Sequence, residues 1–160
     1  MGCALPMAIG VKMVRPDERV WSISGDGGFQ MNIQELGTIM EYDIDIKILL
    51  MNNGYLGMVR QWQELFYDKR YVATPLSGPD FVKIAEAYGI AGVRVNNKID
   101  IVPAIEKAMA EDGPFLVDFR VEPEENVYPM VPPGEGINAM VEEPRETVKV
   151  DSQKIKTRNM

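Results

Sequence analysis

Two short polar turns in this sequence contain residue types suited to binding a metal ion and a phosphate group. The first, Gly25 to Gly28, carries Asp26, and the second, Asn52 to Gly54, carries Asn53. Glycines allow positive φ and let a ligand approach the backbone closely. Carboxylate, carboxamide and backbone carbonyl oxygens are ligands that Mg²⁺ accepts, with phosphate oxygens and water completing its shell. The two turns therefore predict a site where Asp26, Asn53 and a carbonyl of the following turn hold a divalent cation together with a diphosphate.

Each turn also has a purely structural interpretation. Gly-Asp-Gly and Asn-Gly are common turn sequences. A G-x-G-x-x-G dinucleotide loop is a further alternative, but Gln30 stands where the third glycine belongs, and Asn52 stands where an acidic residue would end the next strand. The ligand site is favoured because the two turns follow consecutive predicted strands with one crossover helix between them.

Composition excludes several classes of function. The net charge of -7 argues against nucleic acid and anionic membranes as partners. The absence of histidine removes Ser-His-Asp triads and His-ligated zinc. The single Cys3 and the lack of a recognisable leader predict a cytoplasmic protein, and no apolar stretch is long enough to span a bilayer.

Apolar runs and helical periodicities alternate along the chain, which predicts an α/β fold: a doubly wound, mainly parallel sheet with helices on both faces. Strands are predicted at Arg19–Ser24, Ile46–Met51, Ile90–Val95 and Pro114–Val121, and helices at Ala4–Val14, Met31–Tyr42, Gly57–Tyr67, Asp80–Gly89 and Ile99–Asp112. The helix after the first turn is expected to start near Phe29 and to direct free N–H groups at the ligand. One domain over residues 1–141 and a poorly packed tail over 142–160 are expected.

Longer segments resemble a known family. Gly-Asp-Gly followed by Asn-Asn resembles the thiamine-diphosphate motif. The segments "MGCALPMAIGVK", "GDGGFQMNIQELGT", "NNGYLGMVRQWQELFY" and "VYPMVPPG" resemble the C-terminal, cofactor-binding domain of the acetolactate synthase (acetohydroxyacid synthase) catalytic subunit. The resemblance covers nearly the whole chain to Val141, and "GMVRQWQ" is its most specific part.

The resemblance implies roles for individual residues. Asp26, Asn53 and the backbone carbonyl of Tyr55 would bind Mg²⁺. The remaining cofactor contacts would come from glycine turns, from the start of the helix at Gly57, and from the Met-Gly segment near the cofactor rings: Met1, Gly2, Gly25, Gly27, Gly28, Leu56, Gly57, Met58 and Val59.

The acceptor site is expected beside this helix. Trp62, with Met58, matches the residues that line the family's substrate channel, although a Trp on an amphipathic helix is more often part of a core. Glu35 and Glu41 are expected to be solvated helix residues rather than general acids.

The family's activity needs parts that these residues do not match. Its activating glutamate lies in a pyrimidine-binding domain of the same or another polypeptide, and full-length members can bind FAD in a central domain. No catalytic residue is therefore expected in this chain, and the chain alone is expected to be inactive. The resemblance further implies a homo-oligomer and a regulatory subunit. Cys3, Ala4 and Met7 depart from the residues common in the family.

Three hypotheses follow. The first is the cofactor-anchoring domain of an acetolactate synthase, which decarboxylates pyruvate and joins the product to a second 2-keto acid in branched-chain amino-acid biosynthesis. The second is the diphosphate-binding subunit of a split 2-keto acid decarboxylase, such as the sulfopyruvate decarboxylase type. The third is a gene remnant that binds nothing. A chain that starts inside a family motif is expected to be a fragment or a truncated reading.

Overall fold

One or two helices separate successive strands along residues 1–142, the part of the chain that the computed structural model describes. The elements in order are α1 (Ala4–Val14), β1 (Val20–Gly25), α2 (Asp26–Gln30), α3 (Glu35–Glu41), β2 (Ile46–Asn52), α4 (Gly57–Phe66), α5 (Phe81–Ala87), β3 (Ala91–Val95), α6 (Ile101–Ala110) and β4 (Phe115–Arg120), with short 3₁₀ turns at Lys98–Asp100 and Ile137–Ala139. Apart from Glu142, the predicted tail over 142–160 lies outside the described residues. Within residues 1–142, no helix is both long enough and apolar enough to cross a membrane.

The four strands form one parallel sheet in the order β1-β2-β4-β3. Gly25 at the end of β1 pairs with Met51 near the end of β2. The two polar turns therefore leave the same edge of the sheet, side by side, as the sequence predicts.

Helices pack on both faces of this sheet, which confirms the predicted fold class. On one face, the buried side chains of α1, α3 and α5 pack with Ile46, Ile48 and Leu50 of β2. On the other, Ala104 and Ala108 of α6 belong to a second cluster with β4 residues. Because β4 lies between β2 and β3, its residues from Phe115 to Phe119 are buried. On β1, Ile23 remains 61% exposed.

One helix prediction was wrong in its bounds. The expected start near Phe29 is replaced by the five-residue α2, which begins at Asp26 itself. The expected helix from Met31 to Tyr42 is only helical from Glu35 to Glu41. Between α2 and α3 the backbone N–H groups bond three residues back, as from Asn32 to Phe29, so the apolar spacing continues although the α-helix is interrupted.

The chain divides into two compact units. The first comprises Met1–Tyr55 and Leu76–Pro123 and contains the sheet. The second comprises Leu56–Pro75 and the chain from Glu124 onward. This second unit contains α4 and an isolated antiparallel bridge between Met130 and Val141.

Candidate functional site

Asp26 is a buried carboxylate at the carboxyl edge of the sheet. It is the first residue of α2, directly after β1, and is 2% exposed. Its side chain accepts hydrogen bonds from its own N–H and from the N–H groups of Gly27 and Gly54. Burial raises the pKa of Asp26, although these bonds and the positive charge of Arg120 act in the opposite direction. Burial disfavours the charged form of Asp26, and a cation bound to this carboxylate would offset that unfavourable energy.

The second turn meets Asp26 through Gly54. This residue has φ of +70°, a conformation that favours glycine, and its carbonyl accepts from the N–H of Leu76 at 2.8 Å. Asn53 Oδ1 accepts from the N–H of Tyr55 at 3.0 Å. The structure thus brings Asp26 and the Asn53 turn together, and the turn has a defined hydrogen-bonded shape.

The Met1-Gly2 segment lies beside the short helix α2. Gly2 has φ of +79°, and its carbonyl accepts a hydrogen bond from the Asn32 side chain. A Cβ at Gly28 would lie 3.1 Å from Ser24 Oγ and 3.8 Å from the Gly2 nitrogen. Gly2 and Gly28 are therefore neighbours, whereas the Met1 side chain is exposed. Gly25, at the end of β1, is exposed as well.

The first unit also contains a polar network, buried at Asn52 and Asp118 and partly exposed at Arg94 and Asp80, that the sequence analysis did not identify. Asn52 Nδ2 donates to Asp118 Oδ1 at 2.8 Å, and Arg94 Nε donates to Asp118 Oδ2 at 3.0 Å. Arg94 Nη2 in turn donates to Asp80 Oδ1 at 2.6 Å. One signal was present in the sequence: Asp118 is a charged residue inside the otherwise apolar strand "FLVDF".

In the second unit, α4 exposes much of its apolar surface. Its buried side chains are Arg60 and Gln61, whereas Met58 and Val59 are exposed and Trp62 is 37% exposed. The Trp62 ring meets Phe66 edge-on, with ring centres 6.0 Å apart. Trp62 is therefore only partly enclosed by the described residues, so part of its indole is accessible to a ligand.

Gln61 has a structural role. Its side-chain oxygen accepts from the N–H of Val127 at 2.7 Å, and its Nε2 donates to the carbonyl of Val127 at 2.8 Å. Elsewhere in the chain, both glutamates lie in α3: Glu41 is exposed, whereas Glu35 is half-buried and accepts from Thr38 at 2.9 Å.

The residues at the sheet edge fit the predicted ion. Among residues 1–142 there is no group of three or more His, Cys, Asp or Glu side chains that could hold a metal. A site built from one carboxylate, the Asn53 amide oxygen and the Tyr55 carbonyl supplies only hard oxygen ligands, which suits Mg²⁺ and leaves positions for phosphate oxygens.

Comparison with known proteins gives a consistent result. Residues 1–119 match the family described as thiamine pyrophosphate enzyme, C-terminal TPP binding domain. The chain is 48% identical over 143 residues to the acetolactate synthase large subunit of Cyanidium caldarium, covering 88% of this chain and 24% of that protein. It is 45% identical over 143 residues to the acetolactate synthase isozyme 2 large subunit of Escherichia coli (strain K12), covering 89% of this chain and 26% of that protein.

A solved structure shares the fold. The thiamine diphosphate-dependent 4-hydroxybenzoylformate decarboxylase of Rhodococcus jostii RHA1 superposes with a TM-score of 0.70 at 32% identity, covering 76% of this chain and 23% of that one. This chain thus spans about a quarter of the length of the proteins it matches.

Proposed function

The chain belongs to the thiamine pyrophosphate enzymes as their C-terminal TPP-binding domain, and from that premise we propose that it anchors the diphosphate of thiamine diphosphate through Mg²⁺ at the edge formed by Asp26 and Asn53. The enzyme it serves is an acetolactate synthase. That enzyme decarboxylates pyruvate and joins the product to a second 2-keto acid for branched-chain amino-acid biosynthesis.

The burial of Asp26 carries this proposal. A carboxylate that is 2% exposed and whose pKa is raised by desolvation is costly for the fold without a cation. Its neighbours are the N–H of Gly54 and the turn that holds Asn53. A divalent ion bound to Asp26, Asn53 Oδ1 and the Tyr55 carbonyl would offset that cost and hold the diphosphate with it.

We propose that the remaining cofactor contacts come from the glycine turns, the Met-Gly segment and the start of α4: Gly25, Gly27, Gly28, Met1, Gly2, Leu56, Gly57, Met58 and Val59. The exposed Met58 and Trp62 side chains of α4 are the proposed wall of the acceptor site.

This chain's share of the chemistry is positioning. When bound, thiamine diphosphate supplies the electron sink for the decarboxylation. The residues of this domain hold its diphosphate end, orient it, and shape the acceptor site. The acid that activates the aminopyrimidine is proposed to come from the glutamate of a pyrimidine-binding domain, in the same or another polypeptide, so this chain alone is expected to be inactive.

The comparisons favour a synthase over the split decarboxylase. The support comes from relatives named acetolactate synthase, which are 48% and 45% identical to this chain over 143 residues. The name "large subunit" supports a further, regulatory subunit in the assembly, and homo-oligomers and FAD belong to the proposed full-length enzyme. A cytoplasmic location is proposed with it.

The test is the Asp26→Ala variant in the full-length protein. Isothermal titration with Mg²⁺ and thiamine diphosphate together should show binding by the wild type and none by Asp26→Ala, while the melting temperature without ligand is maintained or rises because a buried charge is gone. Asp112→Ala, at an exposed loop position, is the matched control and should bind normally. Undiminished joint binding by Asp26→Ala would overturn the proposal.

A further inference from the structure

We propose that Asn52 and Asp118 are a positioning pair that orients the metal-binding turn without touching the metal. The inference rests on the Mg²⁺ site proposed above and deepens it. It concerns how the fold fixes the geometry of Asn53 and Tyr55, the two ligands that the turn would supply.

Asn52 is held at two points. Its side-chain Nδ2 donates to Asp118 Oδ1 at 2.8 Å, and its carbonyl accepts from the N–H of Val121 at 3.1 Å. Both bonds join the end of β2 to the end of β4 or the residue just after it. With its side chain and its carbonyl both fixed, Asn52 sets the direction in which the backbone enters Asn53.

Asp118 is itself fixed by a chain of hydrogen bonds. Its second oxygen accepts from Arg94 Nε at 3.0 Å, and the same guanidinium bonds Asp80 at 2.6 Å. Asp80 accepts from the N–H of Lys83 and so caps α5. The pair is therefore linked through β3 to a helix end, which limits its freedom to shift.

Stability alone is a weak reason for this arrangement. Asp118 is fully buried although its ion-pair partner Arg94 is 35% exposed, and burying a charged group in place of well-packed apolar side chains is often neutral or unfavourable. A buried carboxylate instead fixes the orientation of its partners, because it can only accept hydrogen bonds and the donors must therefore be correctly placed.

The direction matters because the turn contains two adjacent asparagines. Asn52 lies two residues after Leu50 and thus on the same face of β2, which packs against the core of α1, α3 and α5. A slip of one residue would turn Asn53 inward and move the proposed ligand away from Asp26. Asp118, paired with Leu50 in register, offers its carboxylate to the asparagine on the inner face.

The experiment uses Asn52→Leu, which keeps the side-chain shape and removes its polar atoms, in the full-length protein. The dissociation constant for Mg²⁺ is measured by titration at a fixed concentration of thiamine diphosphate, and the same is done for Ca²⁺. We expect Mg²⁺ binding to weaken by about 10- to 100-fold, which is the typical effect of substituting the residues that orient metal ligands. Ca²⁺ binding should weaken less, because Ca²⁺ tolerates irregular geometry and Mg²⁺ does not.

Lys47→Met is the matched control. Lys47 is buried at the other end of β2, about 16 Å from Asn52 at ~3.3 Å per residue. Its ammonium donates to Asp45 and to the carbonyls of Glu111 and Gly113. This variant should lower the melting temperature without changing the ratio of Mg²⁺ to Ca²⁺ affinity.

A reversed pair tests the hydrogen bond itself. Asn52→Asp combined with Asp118→Asn keeps one bond between the two positions, keeps an acceptor for Arg94, and preserves the net charge. It should bind Mg²⁺ within about threefold of the wild type. Asn52→Ser replaces the leucine variant if that variant does not fold.

An unchanged Mg²⁺ affinity and an unchanged Mg²⁺/Ca²⁺ ratio in Asn52→Leu would overturn the positioning role, as would a reversed pair that binds no better than Asn52→Leu. The Asp26→Ala variant separates this outcome from failure of the metal site. If Asp26→Ala abolishes binding and Asn52→Leu does not weaken it, the site stands and only the positioning pair is wrong.

Discussion

Glycine-to-alanine substitution should change the free energy of unfolding in opposite directions at two positions of the first unit. Gly54 has φ of +70°, and its N–H donates to Asp26. Gly10 lies inside α1, where the backbone is helical. The same added methyl group therefore meets a left-handed backbone at one position and an ideal helix at the other.

The magnitudes follow from the two environments. At Gly54 the nearest atom to an added Cβ is the Leu76 carbonyl oxygen at 3.9 Å, so there is room and the cost is conformational. Holding alanine in the left-handed region costs about 1–2 kcal/mol. At Gly10 an added Cβ meets nothing within 4 Å, and alanine in a helix interior is favoured over glycine by about 1 kcal/mol. The two variants should differ by about 2–3 kcal/mol in the free energy of unfolding.

Urea unfolding followed by circular dichroism, without Mg²⁺ or thiamine diphosphate, measures both effects. Gly54→Ala should unfold at lower urea than the wild type and Gly10→Ala at higher urea. Gly54→Asn should lose less than Gly54→Ala, because asparagine tolerates the left-handed region. A Gly54→Ala variant as stable as the wild type would refute the reasoning, since the strain would then be absent.

Two further predictions concern charge and the acceptor site. The N–H of Lys83 and the guanidinium of Arg94 hold the pKa of Asp80 below its ordinary 3.8, so Asp80 stabilises the fold above that pH and the contribution is lost as the pH falls through the lowered pKa. Asp80→Asn keeps a side chain that can cap the helix but removes the charge, so it should be less stable than the wild type at pH 7. The urea midpoints of the two proteins should converge below about pH 3.8. A difference between the midpoints that does not change with pH would contradict the role of the charge. In the proposed full-length enzyme, Trp62→Leu should reduce the discrimination between acceptor 2-keto acids that differ by one methylene, because a methylene's contact in a pocket is worth roughly 1–3 kcal/mol. Product ratios that do not move would mean that Trp62 does not line the acceptor site.

The sheet was predictable because its strands are short, mainly apolar runs bounded by turn residues. The predicted Ile46–Met51 strand is extended only by Asn52, and the helix predicted from Asp80 is present as α5, with Asp80 as its N-cap. The helix after the first turn was less predictable, since apolar spacing near 3.6 residues does not distinguish a continuous α-helix from two short helices joined by tighter turns.

The side of α4 that is buried could not be predicted from the spacing of its apolar residues. The apolar spacing places Met58 and Trp62 on one side of the helix but gives no sign that Arg60 and Gln61 are its buried side chains. They are buried because each has polar partners: Arg60 pairs with Glu64 at 3.0 Å, and Gln61 bonds both backbone groups of Val127. Partners 66 residues away, as for Gln61, leave no local signal.

The sequence by itself determined the two turns, the strands that precede them and the residue types at the proposed metal site. Only the tertiary structure decided how two chemically identical neighbours, Asn52 and Asn53, differ. Asn52 faces inward because a buried acceptor, Asp118, lies 66 residues further along the chain and adjacent in the sheet. Asn53 is left to shape the turn through the N–H of Tyr55. Local residue type cannot encode that difference, because it arises from strand register, which pairs distant segments and is fixed only when the core on each face of the sheet is packed.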